Sequence, residues 1–196
     1  MDGTSHPPGG AEESSRAPGR GDLSRLCAEL NRLGARYLVV GGFAIIEAGF
    51  PRFTGDIDLL VDASLENEQR VFEALRSLPD KAVDQLSPGD VERFTVVRVG
   101  DEVVVDLMKS GCGVDYADAI RDAVYREIEG VKIPFASPQT LWRMKQTHRE
   151  KDIPDRLFLR KLLEAQGVRV EERVGATVTR PEGLRAWLKR IFGADK

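Results

Sequence analysis

The sequence predicts an α/β domain followed by a helical C-terminal part. Three observations carry this reading. From residue 37 the apolar pattern runs strand, helix, strand, helix, the order that begins an α/β domain. Two β-rich runs further on are each broken by a turn dipeptide. Two helical runs then follow, each opened by a proline.

The elements can be justified in order. Leu23, Leu26, Cys27, Leu30 and Leu33 make a helical stripe, and Gly34 stands where a helix C-cap glycine belongs. Residues 37–40 read as a short buried strand. Gly41-Gly42 turns it into a helix over 43–48, ended by Gly49 and Pro51. Residues 57–61 form the next strand, and Leu65, Val71, Phe72, Leu75 and Leu78 return to helical spacing. The runs 94–99 and 102–108 are joined at Gly100-Asp101 as a hairpin, and a second hairpin over 125–135 turns at Glu129-Gly130. Ser137 and Pro138 read as an N-cap and first helical residue for a helix reaching about Arg149. Pro154 opens another helix over 155–165, stopped by Gly167, and residues 184–192 form a short amphipathic piece. The expected division is a disordered tail at 1–20, a core at 21–136 and a basic helical part at 137–196 packed on it.

Composition narrows the class. The chain has 196 residues, 41% of them hydrophobic and 31% charged, as suits a globular protein without a membrane span. The N-terminal segment is rich in Gly, Pro and Ser and lacks the basic start and apolar core of a signal peptide. Cys27 and Cys112 fit reduced thiols in the cytoplasm, and His6 and His148 sit in no zinc-ligand spacing. The net charge of −3 is unevenly spread: residues 140–196 hold 14 Lys+Arg against 8 Asp+Glu, and residues 1–139 hold 15 against 24. The basic end suits phosphates or nucleic acid, and equally the solvated face of ordinary helices.

The chemistry-bearing residues stand in GGFAIIEAGFPRFTGDIDLLVD. Strand alternation points Asp56 and Asp58 one way while Ile57, Leu59 and Val61 point into the core. Buried carboxylates are costly unless paired or holding a cation, and Mg²⁺ prefers carboxylate oxygens together with substrate phosphates. Asp106, alone among the valines of EVVVDLMK, offers a third. Gly41-Gly42 lets backbone approach a ligand and opens a helix whose N–H groups suit a phosphate. Arg52 and Thr54 stand within reach of phosphate oxygens. The spacing matches neither a Walker A loop nor GxGxxG. Each piece alone also has an ordinary structural use: a DxD caps strand ends, a GG makes turns, and an arginine sits on surfaces.

Taken together, Gly41-Gly42-Phe43-Ala44, Arg52, Thr54 and Asp56-Ile57-Asp58 resemble the signature of the nucleotidyltransferase superfamily with the polymerase-β-like fold. The form GGxA then RxTxDID looks like the minimal nucleotidyltransferases and the AbiEii-type toxin enzymes. It is also close to the aminoglycoside and lincosamide nucleotidyltransferases. SPQTLWRMKQTHREKDIPDRLFLRKL is similar to the tail of the AbiEii-like group. The resemblance spans residues 37–163 and leaves out both ends.

What the resemblance implies is a mixed sheet flanked by helices and transfer of a nucleoside monophosphate from an NTP, ATP among them, to an acceptor hydroxyl. Asp56, Asp58 and Asp106 would bind two Mg²⁺ ions, one held by all three and the other by Asp56 and Asp58. Gly41 and Gly42 would cradle the triphosphate. Lys145 would contact the triphosphate or the base side, with Asp152 as its partner. The family loop often begins Gly-Ser; here it is Gly-Gly, so a serine contact to phosphate is missing. The acceptors implied are RNA such as a tRNA 3′ end, a protein hydroxyl in a toxin–antitoxin setting with a partner encoded nearby, or a small antibiotic. The contrasting expectation is a non-catalytic nucleotide-binding or antitoxin-like module. Asp62, Asp115 and Asp118 read as caps or solvent-facing acids, His148 as a surface residue, and Trp142 and Trp187 as packing anchors.

Overall fold

The computed structural model describes residues 15–171. Its elements are α1 (Arg20–Arg32), β1 (Tyr37–Val39), α2 (Gly41–Glu47), β2 (Asp56–Val61), α3 (Leu65–Leu75), α4 (Asp90–Arg93), β3 (Val97–Gly100) and β4 (Val104–Met108). There follow β5 (Ser110–Gly111), β6 (Val114–Asp115), α5 (Tyr116–Ala119), β7 (Val124–Ile128), β8 (Val131–Phe135), α6 (Pro138–Met144) and α7 (Ile153–Ala165).

Six strands form one mixed sheet in the order β3-β4-β2-β1-β8-β7. β2 runs parallel to β4 and antiparallel to β1, β1 meets β8 in parallel, and β3/β4 and β7/β8 are the two expected hairpins. Helices flank the sheet: α1 packs on α3 and β8, while α2 packs on β2 and touches α6, which lies against α7. This is the mixed α/β architecture that the sequence leads one to expect. Leu23, Leu26 and Leu30 of α1 meet Ile57, Leu59, Val105 and Leu107 of the central strands in one buried core. Burying side chains of this size stabilises by about 1.5–3 kcal/mol each relative to exposure, which is what holds the two central strands in register.

Two local readings need correction. The helix expected to reach about Arg149 stops at Met144. The chain beyond is drawn out of the helix by Asp152, whose carboxylate accepts from Lys145, Thr147 and Arg149. The Arg156 guanidinium donates to the freed carbonyls of Lys145 and Thr147, at 3.3 and 2.8 Å. The first hairpin does not turn at Gly100-Asp101 but over residues 101–103, because Gly100 pairs with Val104. Asp101 is buried and accepts from the amides of Asp80, Ala82 and Glu102, which pulls it out of the ladder.

Of the segment expected to be a tail, residues 1–14 lie outside the described residues, as do Trp187 and the amphipathic piece at 184–192. Arg16 is anchored: its guanidinium meets Asp22 at 2.6 Å and Glu102 at 2.8 Å. No helix among the described residues is long and apolar enough to cross a membrane.

Candidate active site

Parallel pairing of β2 with β4 sets Asp58 directly beside Asp106. Asp56 lies two residues back on the same face of β2, as period-two alternation requires. One carboxylate oxygen from each of Asp56, Asp58 and Asp106 lies within 4.8 Å of the others. Such a set of hard oxygens suits Mg²⁺ or another divalent cation. Electrostatics agree: burial, followed by the charges of Asp56 and Asp106, pushes the Asp58 carboxyl up to about 6. The Lys145 charge and the Gly42 amide oppose that rise without cancelling it. A cation at this point would relieve the repulsion, so the residues fit the metal implied by the resemblance.

The glycine pair is shaped by its neighbours. Gly41 has φ +58°, and a Cβ there would sit 1.8 Å from Asp58 Oδ2. A Cβ on Gly42 would sit 2.1 Å from Thr54 Oγ1. Both positions therefore need glycine for contact, and Gly41 for backbone as well. The Gly42 amide donates to Asp58 Oδ2 at 3.4 Å, so this N–H is aimed at a carboxylate. Thr54 is buried and donates to the Asp56 carbonyl and carboxylate at 3.2 and 3.3 Å, which sets the orientation of that ligand.

Arg52 and Lys145 come to the same cleft, but neither points an unpaired charge into it. Arg52 Nη1 meets Asp155 Oδ2 at 2.5 Å, and Lys145 Nζ lies 2.8 Å from Asp152 and 3.0 Å from Asp155. Both aspartates are fully buried. Burial pushes the Asp152 carboxyl up, yet the bonds from Lys145 and Thr147 and the charges of Lys145 and Arg149 reverse this and hold it below its ordinary value. The result is a buried ion-pair knot that joins the loop before β2 to the start of α7.

These groups line a cleft of about 350 Å³ whose walls include Gly41, Gly42, Arg52, all three aspartates and Lys145. Thr54 stands behind its wall. A larger and more open cleft of about 850 Å³ adjoins it at Ser110, bounded by Asp62, Ser64, Arg93, Lys109 and Tyr116, and contains none of the triad.

Sequence reasoning missed Arg98. Its Nε and Nη2 donate to the two oxygens of Asp106 at 2.8 and 2.7 Å, and Nη2 also lies 3.4 Å from Asp56 Oδ2. The signal for it was register: Arg98 pairs with Asp106 only when the hairpin loop has three residues. Cys112 was passed over as well. It sits at φ +49° between β5 and β6, lines the cleft, and turns its thiol toward the Met144 carbonyl.

Asp62 and Asp115 hold local structure. Asp62 accepts from the Ser64 amide and from Arg36, and these bonds hold it down to about 2. Asp115 caps α5 by accepting from the Asp118 amide. His148 is exposed, and Trp142 is buried with Arg160 over its ring.

No protein-family model matches the sequence, and no curated protein matches it significantly. Among solved structures, the chain is similar to an antigenic nucleotidyltransferase-like protein from Paracoccidioides brasiliensis, at 18% identity and TM-score 0.47, over 88% of each chain. It is also similar to a candidate nucleotidyltransferase from Thermotoga maritima, at 19% identity and TM-score 0.42, over 86% of this chain and 91% of that one. At such identity and TM-score the likeness carries no function to this chain, and any function has to be carried by the site's own geometry.

Proposed function

We propose that the chain is an Mg²⁺-dependent nucleotidyltransferase that moves a nucleoside monophosphate from an NTP to an acceptor hydroxyl. The observation that carries this reading is the meeting of Asp56, Asp58 and Asp106 oxygens within 4.8 Å at the wall of a cleft that also holds Gly41, Gly42 and Lys145. Asp56, Asp58 and Asp106 would hold the metal, which supplies charge neutralisation at the phosphate oxygens and activates the acceptor hydroxyl. Phosphoryl transfer needs positioning and charge stabilisation more than a dedicated nucleophile. Side chains and backbone share that work. Thr54 fixes the Asp56 carboxylate, the Gly42 amide steadies Asp58, and the absence of Cβ at Gly41 leaves room for the Asp58 carboxylate beside it. Lys145 and Arg52 bring positive charge to the triphosphate side, steadied by Asp152 and Asp155.

The acceptor is RNA, such as a tRNA, or a protein hydroxyl, with a small antibiotic as the remaining class. A toxin–antitoxin setting with a partner encoded nearby follows from the resemblance and not from the site. A second reading, a nucleotide-binding module without turnover, is favoured by the pairing of Lys145 with two aspartates.

Incubation with Mg²⁺ and each α-labelled NTP, offering tRNA, cell protein or an aminoglycoside as acceptor, tests the reading. Label on one acceptor, lost in Asp56→Ala/Asp58→Ala, supports it and names the acceptor class. Mg²⁺-dependent NTP binding without transfer to RNA, protein or aminoglycoside supports the module instead. Absence of both transfer and binding removes the nucleotidyltransferase reading.

A further inference from the structure

We infer that Arg98 and the divalent cation exclude one another at Asp106, so that the guanidinium holds the triad together in the metal-free protein and has to release Asp106 before metal can bind. The inference rests on the triad being the metal site.

Three observations support it. The first is occupancy. Arg98 Nε and Nη2 donate to Asp106 Oδ1 and Oδ2 at 2.8 and 2.7 Å, a two-pronged fork that occupies both oxygens on the side where they are strongest acceptors. The second is position. Nη2 also reaches Asp56 Oδ2 at 3.4 Å, so the guanidinium bridges two of the three carboxylates that would be ligands. A positive charge bridging two ligands stands where a cation would share them, and the two repel at this separation. The third is freedom to leave. The Arg98 side chain is 63% exposed on edge strand β3, whereas that of Asp106 is 10% exposed and fixed in the sheet. The mobile partner of the pair is therefore the arginine, which can swing outward without disturbing the core.

The competing idea is that Arg98 stays in place and merely orients Asp106, as outer partners of metal ligands commonly do. The two ideas predict opposite signs. Loss of an orienting partner weakens metal binding by about 10–100-fold. Loss of a competitor strengthens it.

Isothermal titration of the full chain with Mn²⁺ alone, at fixed pH and low salt, separates them. Arg98→Gln is expected to bind Mn²⁺ at least about tenfold tighter than the unmodified protein, the inverse of the loss an orienting partner gives. Its metal-free thermal midpoint falls, and Mn²⁺ raises that midpoint by more than it does in the unmodified chain. Arg98→Lys keeps the charge and loses the fork, so it tightens binding in the same direction by less; it serves equally if Arg98→Gln fails to fold. Unchanged or weaker binding in these variants, with binding intact in the unmodified chain, overturns the exclusion and leaves the proposed function standing. Binding absent from the unmodified chain and both variants overturns the metal site itself, and the exclusion with it.

Discussion

Gly41 and Asp58 are packed so closely that a single added methyl group on Gly41 would lie 1.8 Å from Asp58 Oδ2. Seventeen residues apart in sequence, they are joined because β1 and β2 are antiparallel neighbours and α2 starts at the end of β1. The left-handed backbone at Gly41, φ +58°, adds a second reason for glycine. Gly41→Ala should therefore cost more than backbone strain alone. Gly34, with φ +64° and nothing within 4 Å of its absent Cβ, is the built-in control. Urea unfolding should show a loss of about 1–2 kcal/mol for Gly34→Ala and at least about 1 kcal/mol more for Gly41→Ala. Equal losses would mean that Asp58 moves aside without cost.

Asp58 carries a stability cost of its own in the absence of metal. Its pKa is raised to about 6 by burial and by its acidic neighbours. A raised carboxyl pKa contributes stability that is fully present below the ordinary value near 4 and is lost as pH rises through about 6. The metal-free protein should therefore lose stability across that window, and Asp58→Asn should remove the loss. At pH 7.5 with chelator, Asp58→Asn should be more stable than the native chain by about 1–3 kcal/mol. In excess Mg²⁺ the order should reverse, since the native carboxylate gains a ligand that the amide does not. Denaturant midpoints at pH 4 and pH 7.5, with and without Mg²⁺, check both signs.

Asp155 is the knot of the buried cluster, accepting from Arg52 at 2.5 Å and lying 3.0 Å from Lys145 while fully buried. Asp155→Ala takes the carboxylate from Arg52 and leaves Lys145 with Asp152 alone. Removing one partner of a buried pair costs about 3–5 kcal/mol; Arg52 is part-exposed, so about 2–4 is expected here. Thermal or urea unfolding of Asp155→Ala measures it, and a change below about 1 kcal/mol would show that the cluster is solvated.

The two cysteines should be told apart by a thiol reagent. Cys27 is buried and its thiol is pushed up to about 12, whereas Cys112 is exposed on the cleft wall. Native protein should react rapidly at one thiol per chain, and the second should react only on unfolding. Cys112→Ser should abolish the rapid phase and Cys27→Ser should leave it.

Most of the fold was legible because its signals are local. The Leu23–Leu30 stripe, the valine-rich strands and the Pro-led helices all depend on period and capping, which a sequence displays directly. The triad was legible for a related reason: acids isolated in apolar strands must face something other than core. What was hidden depends on pairing at a distance. Asp101 looked like half of a turn dipeptide, yet it is buried and binds the amides of Asp80 and Ala82. That shift changes the hairpin register, and register alone brings Arg98 to Asp106. Lys145 read as a helix residue turned to the triphosphate, with Asp152 as its partner and no role for Asp155. Asp152 and Asp155, seven and ten residues on in sequence, fold back to neutralise it, and the helix ends at Met144.

The measurement that tests the central claim most directly is a crystal of the full chain grown with Mn²⁺ and a non-hydrolysable NTP, examined by anomalous scattering. The account predicts manganese density touching Asp56, Asp58 and Asp106, with the triphosphate running toward Gly41, Gly42 and Lys145 and the Arg98 guanidinium turned away from Asp106. Manganese absent from the triad, with the nucleotide lodged in the larger cleft beside Asp62 and Lys109, would contradict it.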